Sequence, residues 1–271
     1  LTATAELALH LPTQKTILKI SVITVAYNSA RTLGDTLKSV AAQSHPDVEH
    51  LLIDGGSTDG TADLVRLHGQ HLARYVCEPD CGIYDAMNKG LALATGDVVG
   101  FLNSDDIYAG PTALASVARG LADPAVDAVF GDLVFVDPVD TSRVMRYWKA
   151  SPHKPGACGR GWMPPHPTLY VRRSVLQECG GFNLAYRLQA DFELILRLFE
   201  LQHLRAAYLP EVLVRMRMGG ATTGSVRNVL RGNLEAARAC RQHGLPGGWT
   251  FIARKIASRI PQFLRRPTPM A

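Results

Sequence analysis

Ile20-Ser21-Val22-Ile23-Thr24-Val25 is a β-branched run that breaks into Ala26-Tyr27-Asn28-Ser29, and it reads as a strand. Downstream of it, Leu33, Leu37, Val40 and Ala41 recur at helical spacing between Thr32 and Gln43. Val48 to Ile53 reads as a second strand, closed by the turn residues Asp54-Gly55-Gly56. Thr61 to Leu67 reads as a helix, Arg74 to Cys77 as a short strand, Ile83 to Ala94 as a helix and Asp97 to Leu102 as a strand. This β-α-β-α order predicts an α/β fold: a mostly parallel, Rossmann-like sheet flanked by helices on both faces.

Past Pro111 the pattern predicts a further helix, then strands near Asp127–Phe130 and Leu133–Val136. Arg143 to Gly161, rich in Gly, Pro and basic residues, predicts a long loop over a site. A helix with Phe192, Ile195, Leu196 and Phe199 on one face follows. The chain has 271 residues, 46% hydrophobic and 20% charged, with a mean hydropathy of +0.02. These values exclude a disordered or fibrous protein, and no apolar run reaches the ~18 residues of a membrane span. Leu1 to Thr16 shows no basic start followed by an apolar core, so no secretory signal is read there. The five cysteines are odd in number and form no C-x-x-C pair, which predicts reduced thiols in a cytoplasmic protein.

Charge is uneven. From Arg227 onward nine Lys or Arg accompany one acid, Glu235, for a formal +8; the preceding 226 residues hold 20 basic and 23 acidic residues, for −3. A basic tail on an acidic body suggests a polyanionic partner. Trp249, Ile252, Ile256 and Ile260 fall on one helical stripe flanked by Lys255 and Arg259, the pattern of a helix lying on an anionic membrane surface. A helix packed on the main domain is the equal alternative. Nucleic acid is not expected, because the basic residues are confined to the tail. The expected organisation is a main domain over residues 17–225 and a basic helical C-terminal extension over 226–271.

Ligands of open α/β sheets bind beyond the carboxyl ends of the strands. Asp54 ends one strand, and Asp105 and Asp106 end another after Phe101-Leu102-Asn103-Ser104. Converging carboxylates repel one another. A divalent cation relieves that repulsion, oxygen ligands favouring Mg²⁺ or Mn²⁺; hydroxyl or amine donors of a ligand would relieve it too. Asp59 in the Ser57-Thr58-Asp59-Gly60-Thr61 stretch reads more simply as turn and helix-cap chemistry, whereas adjacent acids after an apolar strand favour a functional role.

Four stretches in order carry a resemblance: Ser21 to Asn28; Ile53-Asp54-Gly55-Gly56-Ser57-Thr58-Asp59-Gly60-Thr61; Glu78-Pro79-Asp80-Cys81-Gly82-Ile83-Tyr84-Asp85-Ala86-Met87-Asn88-Lys89-Gly90; and Phe101 to Asp106. The chain resembles the family 2 glycosyltransferases of the GT-A fold, which are inverting sugar transferases. The resemblance covers about Lys19 to Tyr108, more weakly to about Arg217. It implies a nucleotide-sugar donor, with Ala26, Tyr27, Asn28 and Asp54 at the nucleoside, Asp106 ligating Mn²⁺ or Mg²⁺, and Asp105 facing the ribose or the metal's shell. Asp85 falls in the segment placed near the donor sugar, and Lys89 is a candidate cation for the phosphates. Many members carry a second acid where Gly55 stands, and this acid often contacts the base, so uridine specificity does not carry over.

By the same resemblance Asp191, ahead of the apolar helix, is the candidate base that takes the acceptor hydroxyl's proton. His166 is a candidate for the pocket between donor and acceptor. Arg215 to Thr223 is expected to order over the donor. The Gln-x-x-Arg-Trp motif of processive members is absent, which implies transfer of single sugars. The expected acceptor is a glycan or lipid-linked glycan in surface-polysaccharide assembly, reached from the inner membrane face. Two further classes stay open: a catalytically degenerate binding module of the same fold, and a sugar-phosphate nucleotidylyltransferase, whose Gly-rich, Arg-containing opening loop is missing here.

Overall fold

In the computed structural model, which describes residues 17–219, 226–259 and 261–264, the first β-branched run forms β1 (Ile20–Ala26), buried along its whole length. There follow α1 (Leu33–Ala41), β2 (Val48–Asp54), α2 (Thr61–His68), β3 (Leu72–Cys77), α3 (Ile83–Leu93) and β4 (Val98–Phe101). These elements match the sequence expectation within a few residues at each end. The strands pair in the parallel order β3-β2-β1-β4, so β1, β2 and β4 end on the same edge. α1 buries Leu33, Leu37 and Val40 on one face, and α3 buries Ala86, Met87 and Leu91.

The second half widens this sheet. It comprises β5 (Ile107–Tyr108), α4 (Ala113–Gly120), β6 (Ala128–Val136), β7 (Val144–Trp148), β8 (Tyr170–Arg172), α5 (Arg173–Cys179), α6 (Ala190–Leu196) and β9 (Ala206–Arg217). The helix that starts as α6 ends in a wide π turn over Arg197–Leu201. The full order is β3-β2-β1-β4-β8-β6-β9-β5, with β7 on β6. The long ladders are parallel, including β6 with β9, while the antiparallel ones are short.

Two expectations are corrected here. The pair of strands around Gly131-Asp132 is one strand, β6. Gly131 suits close packing, since a Cβ there would come within 2.7 Å of the Leu213 side chain. Asp132, 1% exposed, is satisfied inside the sheet by the Tyr147 hydroxyl, the Ala150 N–H (2.7 Å) and the Tyr208 hydroxyl (2.8 Å). A polar residue that reads as a turn is therefore tolerated mid-strand. Likewise Arg143–Gly161 is not loop throughout: it opens with β7, and the Arg146 guanidinium lies 4.2 Å from the centre of the Phe135 ring. The rest is pinned by Glu200, whose carboxylate accepts from the Gly156 and Cys158 N–H groups and meets His153.

The C-terminal helices are α7 (Val226–Gln242), α8 (Trp249–Ala257) and α9 (Pro261–Leu264). Ala236, Ala237, Ala239, Cys240 and Phe251 join the same buried cluster as Ile23, Phe101 and Phe192. The buried residues of α8 are Phe251 and Lys255, at 1% and 3% exposure, and of the predicted stripe Ile252 packs, partly buried, against the same cluster. Lys255 does not flank an outer surface: its Nζ donates to Gln189 Oε1 at 2.7 Å and lies 5.2 Å from the Phe192 ring centre. Trp249 and Ile256 point outward, at 78% and 51% exposure. Ile260, Leu1–Thr16 and the 220–223 part of the expected donor loop lie outside the described residues. No helix among the described residues is long and apolar enough to cross a membrane.

Candidate active site

A cleft of about 1240 Å³ opens at the carboxyl ends of β1, β2 and β4. Ala26, Tyr27 and Asn28 line it from β1, Gly55 from β2, and Asn103, Ser104 and Asp105 from β4. Asp80, Ile83 and Ala86 close one side, and Arg146 with Met216 to Gly219 the other. Tyr27 is 66% exposed and offers an aromatic face. Asn28 takes a left-handed backbone (φ 51), its N–H donating to Ser57 Oγ at 2.7 Å and its Oδ1 accepting from the Thr58 N–H at 2.9 Å. These bonds lock the β1 turn to the loop after β2.

Asp54 is fully buried and does not line the cleft. It accepts from the Ser57 N–H and hydroxyl at 2.9 and 2.6 Å and from the Tyr75 hydroxyl at 3.0 Å, which holds the loop in shape. Asp59 binds the Thr61 hydroxyl and the Ala30 N–H, which hold its carboxyl below the usual range. Beside Gly55 stands Asp80. A Cβ on Gly55 would come within 3.0 Å of the Asp80 Cγ and nearer still to its Oδ2. The cleft thus carries a carboxylate where Gly55 itself supplies none. Asp80 Oδ1 accepts from the Gly82 N–H at 2.8 Å, and Asp85 accepts from the Cys81 N–H at 3.0 Å. Lys89 is drawn into this same loop, donating to Pro79 O at 2.9 Å and pairing with Glu78 at 2.9 Å and Asp85 at 3.7 Å.

Asp105 is half-buried at the cleft wall, and Asp106 lies beneath it with no exposure. Burial raises the Asp105 carboxyl; burial and then the Asp105 charge push Asp106 well above the carboxylate range. Asp106 Oδ2 accepts from Asn103 Nδ2 at 3.2 Å, but Asp106 Oδ1 and Asn103 Oδ1 are buried with no hydrogen-bond partner among the described residues. Buried unsatisfied oxygens are rare, and hard oxygen donors are what Mg²⁺ and Mn²⁺ take, so this residue set fits such a cation.

Asp191 and His166 are not among the residues that line the cleft. Asp191 Oδ1 accepts from the Tyr84 hydroxyl at 3.1 Å and from the Phe192 N–H at 2.8 Å. Burial, then the Asp191 charge, pushes the Tyr84 hydroxyl up, so it stays a donor. His166 stacks on Phe101 (5.6 Å) and meets Phe182 edge-on (5.7 Å); burial lowers its pKa while Asp191 opposes. Arg217, expected only as part of the Arg215–Thr223 loop over the donor, belongs instead to a strand. This residue, 5% exposed, ends β9 at the cleft, donating to Asp105 O at 2.7 Å and to Asp35 Oδ2 at 2.6 Å. The alternation of Val212, Val214 and Met216 was the available strand signal for it.

The chain matches the family model "Glycosyl transferase family 2" over residues 21–188. It is 31% identical over 218 residues to a PGL/p-HBAD biosynthesis glycosyltransferase of Mycobacterium bovis (strain BCG / Pasteur 1173P2), covering 76% of this chain and 79% of that one. It is 34% identical over 184 residues to an uncharacterized glycosyltransferase of Mycobacterium tuberculosis, covering 66% and 68%. Among solved structures it resembles a mannosyltransferase of Pyrobaculum calidifontis in complex with GDP-Man and Mn²⁺, with a TM-score of 0.64, 22% identity and coverage of 90% of this chain and 71% of that one. It also resembles residues 1–349 of S. aureus TarS, with a TM-score of 0.62, 17% identity and coverage of 90% and 72%. Matched on family, sequence and GT-A fold alike, the chain belongs to glycosyl transferase family 2 and is a glycosyltransferase.

Proposed function

We propose that the protein transfers single sugars, with inversion, from a nucleotide-sugar donor to an acceptor hydroxyl. The observation that carries this reading is the cleft at the β1, β2 and β4 ends, lined by an exposed aromatic, a carboxylate over Gly55, Asn103 and Asp105, with the unpartnered oxygen of Asp106 buried beneath its wall. Tyr27 stacks on the base, Asp80 accepts an N–H from it, and Asp105 meets the ribose. Asp105, Asp106 and Asn103 would hold Mn²⁺ or Mg²⁺, which when bound neutralises the diphosphate and stabilises it as a leaving group. Asp54, Asp85 and Lys89 hold the surrounding loops in place. His166 shapes the acceptor side.

In the transfer step the acceptor oxygen forms a bond to the sugar C1 while the C1–phosphate oxygen bond breaks. Its electron pair leaves on the nucleoside diphosphate, and the hydroxyl proton passes to Asp191. Tyr84 and the Phe192 N–H fix Asp191 through Oδ1, which keeps Oδ2 for that proton. The acceptor is a lipid-linked glycan of a surface polysaccharide, and the exposed Trp249, Ile256 and Phe263 hold the enzyme at the inner membrane face. Calorimetric titration with UDP, GDP, TDP and CMP, each with Mn²⁺, Mg²⁺ or EDTA, tests the donor site. One nucleotide binds in a metal-dependent way, and Asp106→Ala abolishes the metal dependence. Absence of binding by all four would sink the reading.

A further inference from the structure

The end of β7, the chain from Lys149 to Met163 and the α8–α9 region enclose another cavity, of about 220 Å³. Four cationic residues line it, Lys149, Arg160, Lys255 and Arg259, together with Trp148 and Trp162. The other side chains on its wall, Ser151, Met163, Ser258 and Gln262 among them, are neutral. Among the described residues none of the four cations forms an ion pair with a carboxylate. Lys255 is 3% exposed and its Nζ donates to the neutral Gln189 Oε1; Arg160 donates to Pro155 O at 3.2 Å. Lys255 is buried and Arg259 half-buried, and the Asp191 charge that reaches both forms no ion pair with either, so the cost of withdrawing them from water falls when an anion enters. Burial, and then Arg259, push the Lys255 ammonium down to about 8 while Asp191 opposes, and burial lowers Arg259 as well.

The place of this cavity decides what the anion belongs to. Gln189, which Lys255 holds, stands two residues before Asp191, and Asp191 is tied by Tyr84 to α3, whose Ile83 and Ala86 line the donor cleft. Two residues of the cavity wall, Lys255 and Arg259, thus feel the charge of the candidate base, Lys255 through the segment that carries it. We infer that the cavity binds the phosphate group of a phosphate-bearing acceptor, with the indoles flanking the group attached to that phosphate. The inference rests on the transferase reading of the donor cleft and adds the acceptor's chemical class to it. A single carboxylate would offset one of the four charges; a phosphate dianion offsets more and accepts several charge-assisted bonds. Phosphate bonded to a lipid and phosphate bonded to a soluble sugar share this chemistry.

The chain has three tryptophans, so ¹⁵N-labelled indole signals report on the cavity directly: Trp162 lies in its wall, and Trp249 is exposed on the outer side of α8. Citronellyl phosphate and glucose 1-phosphate are titrated in phosphate-free buffer with EDTA, with methyl glucoside as the neutral control. Either phosphate gives a saturable shift of the Trp162 signal, and methyl glucoside gives none. Tighter binding of citronellyl phosphate assigns a lipid phosphate, and the reverse order a soluble sugar phosphate. Lys149 and Arg160 are exposed, so Lys149→Gln/Arg160→Gln leaves the fold intact; it weakens the phosphate probe by about tenfold or more. Binding of nucleoside diphosphate with Mn²⁺ stays unchanged in that variant. The inference is overturned if neither phosphate shifts Trp162, or if the double variant binds them as the parent does. Loss of nucleoside diphosphate binding in the parent chain would instead overturn the donor reading, whatever the indole signals do.

Discussion

Gly55→Ala tests whether the Asp80 carboxylate occupies the space above Gly55. The new Cβ would sit 3.0 Å from the Asp80 Cγ and closer to Oδ2, so the carboxylate has to swing away. In doing so it gives up the bond from the Gly82 N–H, 2.8 Å long, at the turn into α3. A charge-assisted bond at a half-exposed site, plus residual crowding, amounts to about 1–2 kcal/mol. For a chain of this size that is a fall in Tm of about 2–4 °C. Displacing the carboxylate from the cleft also weakens nucleotide binding, by about tenfold for one lost hydrogen bond to a charged group. The assay is a double-mutant cycle of Gly55→Ala and Asp80→Gly, read by thermal unfolding and by calorimetric titration with the nucleoside diphosphate and Mn²⁺. Removing Asp80 clears the obstruction, so the two changes are coupled by at least about 1 kcal/mol in stability. Exchanging the residues, Gly55→Asp with Asp80→Gly, returns a carboxylate to the same region and recovers affinity lost in Asp80→Gly alone. Stability effects that add within about 0.5 kcal/mol would refute the packing argument. An exchanged variant that binds no better than Asp80→Gly would refute the role of the carboxylate.

Asp191→Asn keeps an oxygen to accept from Tyr84 and the Phe192 N–H, so the fold and nucleotide binding are retained while transfer falls by about 10²–10⁴; near-parental single-turnover rates would remove Asp191 from the role of base. Glu49 predicts a specific acid sensitivity. Burial alone would raise its carboxyl, but the Ser21 hydroxyl, the Thr95 N–H and hydroxyl and Lys19 outweigh this and bring it to about 2 from 4.5. The folded pKa is the lower one, so the stabilisation is complete above about pH 4.5 and is lost as pH falls from there toward 2. Discounted for the solvent around the 36% exposed Lys19, it amounts to about 1–2 kcal/mol, and Glu49→Gln should lose stability less steeply between pH 5 and 3 in acid-unfolding curves. For membrane attachment, Trp249→Ala/Ile256→Ser should reduce sedimentation with vesicles containing anionic lipid by several-fold without changing nucleotide binding, since both side chains face outward; unchanged sedimentation would refute it.

Local pattern made the first half legible. The β-branched and helical periods of residues 20 to 102 each report one element's own burial, and the parallel order of β1, β2 and β4 follows from their alternation with helices. Asp105 and Asp106 were visible as candidates because two acids after an apolar strand have little other reason to be there. The second half was less legible where a polar residue finds its partners far along the chain. Asp132 reads as a turn until Tyr147 and Tyr208 supply its hydrogen bonds, and Lys255 reads as a surface cation until Gln189 and Phe192 receive it.

What the sequence by itself determined is the α/β class, the family and the strand ends at which ligands gather, because these depend on periodicity and on ordered motifs within short windows. Tertiary structure alone decided that Asp54 is buried in its loop while Asp80 stands over Gly55, that Arg217 reaches Asp105 across 112 positions, and that α8 turns Lys255 toward the helix carrying Asp191. Each of these depends on which side chains fill the space left by distant ones. Close packing and the demand that buried polar groups be paired act on the folded chain as a whole, and neither is written in the spacing of neighbours.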